Sequence, residues 1–116
     1  MYESGLEVFE CGDTFGGIDM PTYIALLNWS QQGITNVKES PTRFDAFKQS
    51  VEQAGGQVKG FYMVMGQYDM VCIVEAPNDE ALAKVVLASA AKGSVRTQTL
   101  RAFTEDEYRK IIAALP

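Results

Sequence analysis

Short apolar runs alternate with amphipathic segments through most of this chain. The apolar runs are rich in strand-forming residues, and the last predicted strand alternates polar and apolar side chains. The predicted strands are residues 23–29, 58–65, 70–76 and 95–102. Apolar side chains also recur at helical spacing in three segments. The predicted helices lie between residues 40 and 54, 78 and 92, and 104 and 115.

The order of these elements is strand, helix, strand, strand, helix, strand, and then an added helix. This order predicts an α+β fold of the ferredoxin-like βαββαβ type, with one mainly antiparallel sheet and helices on one face. Right-handed crossovers place the first and third strands in the centre of the sheet and the second and fourth strands at its edges.

Capping residues mark where the helices begin. Ser40, followed by Pro41, predicts the start of the first helix through a capping hydroxyl and a proline at the first helical position. Asn78 is the predicted cap of the second helix, and Thr104 opens a capping box at the third. Residues 30–40 are polar and predict a loop with about one helical turn.

Both faces of the predicted sheet carry apolar side chains. In the first strand, Tyr23 and Ala25 point to one face, and Ile24 and Leu26 point to the other. Helices cover only one face, so a second apolar face would be left in water. The sequence therefore favours a homo-oligomer, a dimer or a ring of dimers, in which a second copy covers this face. The C-terminal helix is the alternative cover.

Charge is distributed unevenly along the chain. Residues 1–19 contain five of the 15 acidic residues and none of the 10 basic ones, so residues 20–116 carry ten of each. A neutral body predicts binding neither to nucleic acid nor to an anionic membrane. The chain has no histidine, which excludes the usual Ser-His-Asp and Cys-His catalytic arrangements.

Residues 1–19 differ from the rest in composition as well as in charge, and we interpret them as an N-terminal extension of a domain at residues 20–116. A peripheral segment predicts that deleting residues 1–19 leaves the melting temperature nearly unchanged. The alternative is that residues 6–9 add a strand to an exposed edge of this subunit or a neighbouring one.

The two cysteines, Cys11 and Cys72, are too few and too far apart for a disulfide framework or a CxxC site. Cys72 lies in an apolar run and is predicted to be a reduced, buried thiol. No signal peptide is recognisable, so a cytoplasmic location is expected. No phosphate-binding loop or metal-ligand spacing is present, so no cofactor and no metal are expected.

The segment from Gly66 to Asp69 is the most distinctive motif. As structure, Gly66 allows a positive φ and the Asp69 carboxylate braces a hairpin turn. As a site, Tyr68 and Asp69 form a polar pair at a cavity mouth, joined by Asn28 at the end of the first strand and by Arg96 on the last. For Asn28 the structural alternative is a turn cap, and for Arg96 it is protection of an edge strand by charge.

This chain resembles the GYD-domain family, which is named for the Gly-x-Tyr-Asp element. The resemblance covers residues 20–116 and rests on residues 20–24, 36–43, 55–56, 66–69, 74–77 and 96–107. It implies a dimeric ferredoxin-like α+β barrel, in a family whose biochemical role is largely uncharacterised. The hairpin is also similar to that of the ligand-sensing domains of feast/famine regulators, which bind amino acids between subunits. The chain leaves no room for their helix-turn-helix, so a stand-alone module is expected.

Three functions follow from this pattern. The leading hypothesis is a small homo-oligomeric module with a cavity between sheet and helices or between subunits, which binds a small polar metabolite through Tyr68, Asp69, Asn28 and Arg96. The second is a cofactor-free enzyme similar to other dimeric α+β barrels, such as small monooxygenases or isomerases, with Asp69 or Tyr68 as the base. The third is a purely structural or protein-interaction subunit, in which the same polar groups serve only turns and edges.

Overall fold

Four strands form one antiparallel sheet in the computed structural model, which describes residues 20–116. The strands are β1 (Thr22–Trp29), β2 (Gln57–Met63), β3 (Met70–Glu75) and β4 (Val95–Ala102). Their order across the sheet is β2-β3-β1-β4, and every neighbouring pair is antiparallel. The predicted ferredoxin-like topology is therefore confirmed, with the first and third strands in the centre.

Among residues 20–116, four α-helices complete the fold. They are α1 (Gln31–Thr35), α2 (Ser40–Gln53), α3 (Asp79–Ala90) and α4 (Glu105–Ala113), and a short 3-10 turn (Val37–Glu39) joins α1 to α2. Helices α2 and α3 cover one face of the sheet. The extension predicted at residues 1–19 lies outside the described residues.

The core lies between that face of the sheet and helices α2 and α3. Its buried side chains come from β1 and β3 and from the inner faces of the two helices. They include Tyr23, Ala25, Cys72, Val74, Val51, Leu82 and Val85. The predicted buried thiol is confirmed, because Cys72 is a free cysteine inside this core. Burial raises the pKa of Cys72 to about 11.

A bulge in β2 aligns its apolar residues with the core. Val58 pairs with Val74, and Gly60 pairs with Ile73, so Lys59 is the extra residue on this strand. Val58 and Phe61 are three residues apart and would face opposite sides of a regular strand. The bulge lets both pack against the core, where Phe61 lies opposite Cys72.

Two of the three predicted helix caps are confirmed. The Asn78 side chain accepts a hydrogen bond from the Ala81 N–H at 2.8 Å. Thr104 and Glu107 form the predicted capping box, with hydrogen bonds of 3.2 Å and 2.8 Å. The prediction that Ser40 caps α2 is wrong. The 3-10 turn runs directly into α2, so Ser40 already has helical backbone angles and cannot be the N-cap.

The segment that we predicted as a polar loop is mostly helical, because α1 and the 3-10 turn occupy it. Ser30 caps α1 by accepting a hydrogen bond from the Gly33 N–H at 3.1 Å, and the Ser30 N–H donates to the Ser94 carbonyl at 3.0 Å. These bonds attach α1 to the start of β4. Within residues 20–116, no helix is both long enough and apolar enough to cross a membrane.

Candidate functional site

The Gly-x-Tyr-Asp element forms the connection between β2 and β3, as predicted. The Val64 N–H donates to the Asp69 carbonyl at 2.8 Å, which closes the connection. Gly66 has a φ of 142°, so the predicted positive φ at this glycine is confirmed. No heavy atom outside its chain neighbours lies within 4 Å of the position that a Cβ would take. Backbone conformation rather than close packing therefore favours glycine here.

Asp69 fastens this connection to the end of β1. Its backbone N–H donates to the Leu27 carbonyl at 3.0 Å, and its carboxylate Oδ2 accepts from the Trp29 N–H at 3.0 Å. The carboxylate thus satisfies a backbone donor at the end of the strand. This is the bracing contact that the structural interpretation of Asp69 requires.

Tyr68 reaches across the sheet instead of pointing into the core. Its hydroxyl donates to the side chain of Gln98 on β4 at 2.7 Å. Asn28 and Arg96 lie directly opposite each other on β1 and β4. Alternation along the strands places both on the same face as Gln98, which is the face away from α2 and α3.

The structure therefore brings the four predicted site residues to one end of the sheet but divides their roles. Tyr68, Asn28 and Arg96 lie at the face that the helices leave open. The Asp69 carboxylate is engaged with the backbone of β1. Their function as a ligand site stays a prediction.

Apolar side chains cover much of the sheet face that has no helices. We call this set the open sheet face: Ile24, Leu26, Tyr62, Val71, Ile73 and Leu100. The four residues from the central strands are half-buried, whereas Tyr62 is 61% exposed and Leu100 is 42% exposed. The apolar second face is therefore present as the sequence analysis expected.

Helix α4 does not cover the open sheet face. It has no buried residue, and its apolar side chains are exposed along one side. Together with Leu115, two residues past the end of the helix, they form a set that we call the α4 stripe: Tyr108, Ile111, Ile112 and Leu115. The stripe has the spacing i, i+3, i+4 and i+7 of an amphipathic helix that packs on a partner. Within residues 20–116, two separate apolar surfaces are thus left without cover.

A cavity of about 260 Å³ lies on the other side of the sheet, between α2, α3 and the strands. Apolar side chains form most of its wall: Leu27, Phe44, Phe47, Phe61, Met70 and Val86. The Phe44 and Phe61 rings lie 4.1 Å apart between centroids and form part of this wall. None of the four predicted site residues lines the cavity.

Polar groups are placed around this apolar wall. Ser50, Ser89, Ser94 and Thr97 contribute hydroxyls, and Arg43 and Lys92 contribute cations. Sequence analysis missed these residues. The available signal was the serine at position 89 within the apolar stripe of α3, because a hydroxyl on a buried helix face requires a partner.

Tyr23 forms a polar contact at the far end of the same core. Its hydroxyl donates to the Asp79 carboxylate at the start of α3, and the Arg101 guanidinium lies 5.7 Å from the centre of its ring. Burial raises the pKa of Tyr23 to about 12, and the Asp79 carboxylate adds to this rise, whereas Arg101 opposes it. The tyrosine is therefore neutral at all physiological pH values.

Metal binding has no visible support in the described part of the chain. Among residues 20–116, no three cysteine, aspartate or glutamate side chains come together in a way that would hold a metal ion.

A comparison with known protein families agrees with the resemblance that the Gly-x-Tyr-Asp motif indicates. The GYD domain matches residues 23–112, which is most of the chain. The chain belongs to the GYD-domain family. A relative from Thermus thermophilus, named glutamine synthetase and cystathionine beta-lyase binding protein, is 37% identical over 84 residues. The match covers 72% of this chain and 88% of that relative.

Solved structures agree with the fold of this GYD-domain protein. The leucine response regulatory protein of Mycobacterium tuberculosis has a TM-score of 0.55 at 17% identity, over 90% of this chain and 73% of that one. A feast or famine regulatory protein of the same organism, complexed with L-methionine, has a TM-score of 0.55 at 16% identity and the same coverage. At this level of identity the likeness concerns the fold alone.

Proposed function

We propose that this GYD-domain protein is a homo-oligomeric binding module that holds a second protein. The observation that carries the proposal is the presence of two separate apolar surfaces, the open sheet face and the α4 stripe. Single exposed apolar side chains are common, whereas contiguous apolar surfaces are typical of interaction sites. The name of the Thermus relative supports a protein-binding role, and its two enzymes are the first partners to test.

A second copy is the partner that fits the open sheet face. A pleated apolar face can pack against the same face of another subunit across a two-fold axis, because each row of side chains then meets its own equivalent. Sheet-to-sheet packing of this kind forms an interior about 10 Å thick without any new element. The polar group formed by Asn28, Arg96, Tyr68 and Gln98 would lie at the edge of this contact.

The α4 stripe fits a different kind of partner. Apolar side chains at helical spacing, three on the short helix α4 and Leu115 just after it, are typical of a helix that lies in a groove on another protein. The Thr104 capping box holds the first turn of this helix in place without help from the rest of the domain. We therefore propose that the enzyme partner binds at the α4 stripe while the sheet face holds the oligomer together.

Acidic substitutions on the two surfaces test whether the oligomer and the enzyme partner use different surfaces. The double variant Tyr62→Glu, Leu100→Glu places acids on the open sheet face at its two edge strands. Ile112→Glu places an acid in the α4 stripe. Met65→Glu is the matched control, because Met65 is 96% exposed in the hairpin and belongs to neither surface. Molar mass in solution and capture of purified glutamine synthetase and cystathionine beta-lyase are measured for each variant.

We expect the Tyr62→Glu, Leu100→Glu variant to become a monomer. We expect Ile112→Glu to keep the mass of the oligomer but to lose capture of the enzyme. The Met65→Glu control should keep both properties. Failure of the wild type to capture either enzyme would remove the support drawn from the relative. Capture that survives Ile112→Glu would show that α4 is not the binding surface.

A small polar ligand at the edge of the oligomer contact is a second candidate function. It is favoured by the position of Asn28, Arg96 and Tyr68 at one end of the open sheet face. Arg96→Gln should then remove ligand binding without changing stability, whereas Asp69→Asn should mainly lower stability because Asp69 braces the strand end. Loss of ligand only with Asp69→Asn would favour the carboxylate as the binding group.

A cytoplasmic location is part of the proposal. The free buried thiol of Cys72 is compatible with a reducing compartment.

A further inference from the structure

The cavity between the helices and the sheet plays no part in the proposed protein-binding role. It lies on the opposite side of the sheet from the open sheet face, and α2 and α3 form its roof. In its wall Leu27, Phe44, Phe47, Phe61 and Val86 are half-buried, whereas Met70 is buried. At about 260 Å³ it lies near the lower end of the range for small-molecule sites, which begins at about 300 Å³.

Four hydroxyls on the wall of this cavity lack hydrogen-bond partners within residues 20–116. They belong to Ser50, Ser89, Ser94 and Thr97. Ser94 is only 8% exposed. Ser50, Ser89 and Thr97 are half-buried, so Ser94 is the one of the four for which a missing partner is costly, and a core built only for packing would favour alanine there. Together the four hydroxyls give an otherwise apolar wall groups that can donate to a polar atom of a ligand.

Two cations lie at one end of the cavity. Helices α2 and α3 are antiparallel, so Arg43 near the start of α2 and Lys92 just beyond the end of α3 lie at the same end. The Arg43 guanidinium already donates to the carbonyls of Asn36 and Gly33, at 3.1 Å and 3.2 Å. It also lies 3.9 Å from the Glu39 carboxylate. Lys92 makes no side-chain ion pair within the described residues, so it is the cation that remains for a ligand.

We propose that this cavity binds a small carboxylic acid with an apolar body. The phenylalanine-rich wall takes the body, Lys92 pairs with the carboxylate at the mouth, and the hydroxyls donate hydrogen bonds to its oxygens. At about 260 Å³ the cavity suits a small ligand of about ten non-hydrogen atoms. Octanoate has this size and chemistry and is the probe, with 1-octanol as its uncharged counterpart.

The single tryptophan of the chain reports on the site. The Trp29 indole N–H donates to the Ser40 hydroxyl at 3.1 Å, and Ser40 lines the cavity. Titration of the full-length protein with octanoate is followed by Trp29 fluorescence and by calorimetry. Saturable binding of octanoate that is tighter than binding of 1-octanol is expected.

Two pairs of variants, on α3 and just beyond its end, distinguish the contribution of the apolar wall to binding from that of the Lys92 cation. Ser89→Leu fills the cavity, and its control Ala88→Leu adds the same side chain at the exposed neighbouring position. Lys92→Gln removes the cation at the mouth, and its control Lys84→Gln removes an exposed lysine elsewhere on the helix. Ser50→Leu fills the cavity from α2 and is the second filling variant, should Ser89→Leu not fold.

The filling variants should weaken octanoate binding by about tenfold or more, because the added leucine side chain occupies the space that the octanoate chain would take. Lys92→Gln should weaken octanoate by about threefold to fivefold and leave 1-octanol unchanged, as expected for an exposed ion pair. Both controls should match the wild type. Absence of saturable octanoate binding, or wild-type affinity in both filling variants, would overturn the proposal. Equal effects of Lys92→Gln on both probes would overturn the assignment to carboxylates.

Discussion

Gly33 shows how one residue permits a contact between two elements. It is buried, and a Cβ at this position would lie 1.9 Å from the Ser94 carbonyl oxygen. That oxygen also accepts the Ser30 N–H, so it belongs to the hydrogen bonds that attach α1 to β4. Only glycine lets the two backbones approach this closely.

We expect Gly33→Ala to lower the free energy of unfolding by about 2 kcal/mol or more, because backbone atoms must move to make room for the methyl group. Gly60→Ala is the matched control. The nearest atoms to a Cβ there lie 3.7 Å away on side chains, so the change should stay within about 1 kcal/mol. Urea denaturation measures both variants. Equal free energies of unfolding for the two variants would show that the backbone contact between Gly33 and Ser94 adjusts to a methyl group without loss of stability.

Tyr23 links alkaline pH to stability. Its pKa is about 12 in the folded chain, against an ordinary value of 10. Below pH 10 the phenol is neutral in both the folded and unfolded states, so its contribution to stability is fully present. Between pH 10 and pH 12 the unfolded chain loses this proton first, which favours unfolding.

We therefore expect the stability difference between wild type and Tyr23→Phe to be largest below pH 10 and to shrink as the pH rises towards 12. Urea midpoints at pH 9 and pH 11.5 test this. Tyr108→Phe is the control, because Tyr108 is exposed on α4 and should show no such change. If the stability difference between wild type and Tyr23→Phe were the same at both pH values, the raised pKa of Tyr23 in the folded chain would be contradicted.

At the scale of elements, α4 is stabilised by contacts among its own residues. Its first turn has a complete capping box, and an ion pair between Arg109 and Glu105 at 2.8 Å adds support on its exposed side. The helix buries none of its residues in the domain. Its formation and the folding of the core are therefore largely independent.

Thr104→Ala removes the hydroxyl that accepts from the Glu107 N–H and should destabilise α4 by about 1 kcal/mol, whereas the backbone N–H of residue 104 that donates to the Glu107 carboxylate remains. We expect faster amide hydrogen exchange along α4 and weaker capture of the enzyme partner, with little change in the unfolding midpoint of the core. Thr104→Ser keeps the capping hydroxyl and should behave as wild type. A clear fall in the core midpoint with Thr104→Ala would mean that α4 packs on the domain or within the oligomer.

Patterning predicted most of the elements. Strand positions and the caps at Asn78 and Thr104 follow from periodicity and local hydrogen-bonding chemistry, which are properties of neighbouring residues. The sheet order follows from the right-handedness of crossover connections. The sequence predicted only about one helical turn within residues 30–40, whereas α1 and the 3-10 turn fill most of this segment, because Ser30 and Gly33 contact Ser94 just before the start of β4, which is distant in sequence. Ser40 was misassigned for a related reason, since its hydroxyl accepts from the Trp29 indole instead of capping α2.

The candidate sites were predictable to different degrees. The sequence allowed two interpretations of Asp69, a structural brace and a ligand-binding group. The Trp29 N–H donates to its carboxylate, so in the structure this group contacts the end of β1. The sequence allowed a cavity between the sheet and the helices, but its volume and lining could not be foreseen, because they depend on how closely α2 and α3 approach the sheet. A pattern of apolar residues fixes which side chains face inward, but it does not fix how well they fill the space.

At the scale of the whole molecule, the open sheet face carries the central claim. The described residues leave it without cover, α4 does not reach it, and a second copy is the proposed cover. An interface of this kind would join two copies of the four-stranded sheet with their helices on the outside.

The molar mass of the full-length protein in solution tests this claim most directly. Light scattering after size exclusion, at concentrations from about 1 to 100 µM, should give at least twice the chain mass of 12.8 kDa. The Tyr62→Glu, Leu100→Glu variant should fall to the mass of one chain while keeping its secondary structure. A wild-type mass of one chain across the whole concentration range would contradict the oligomer and with it the account of the open sheet face.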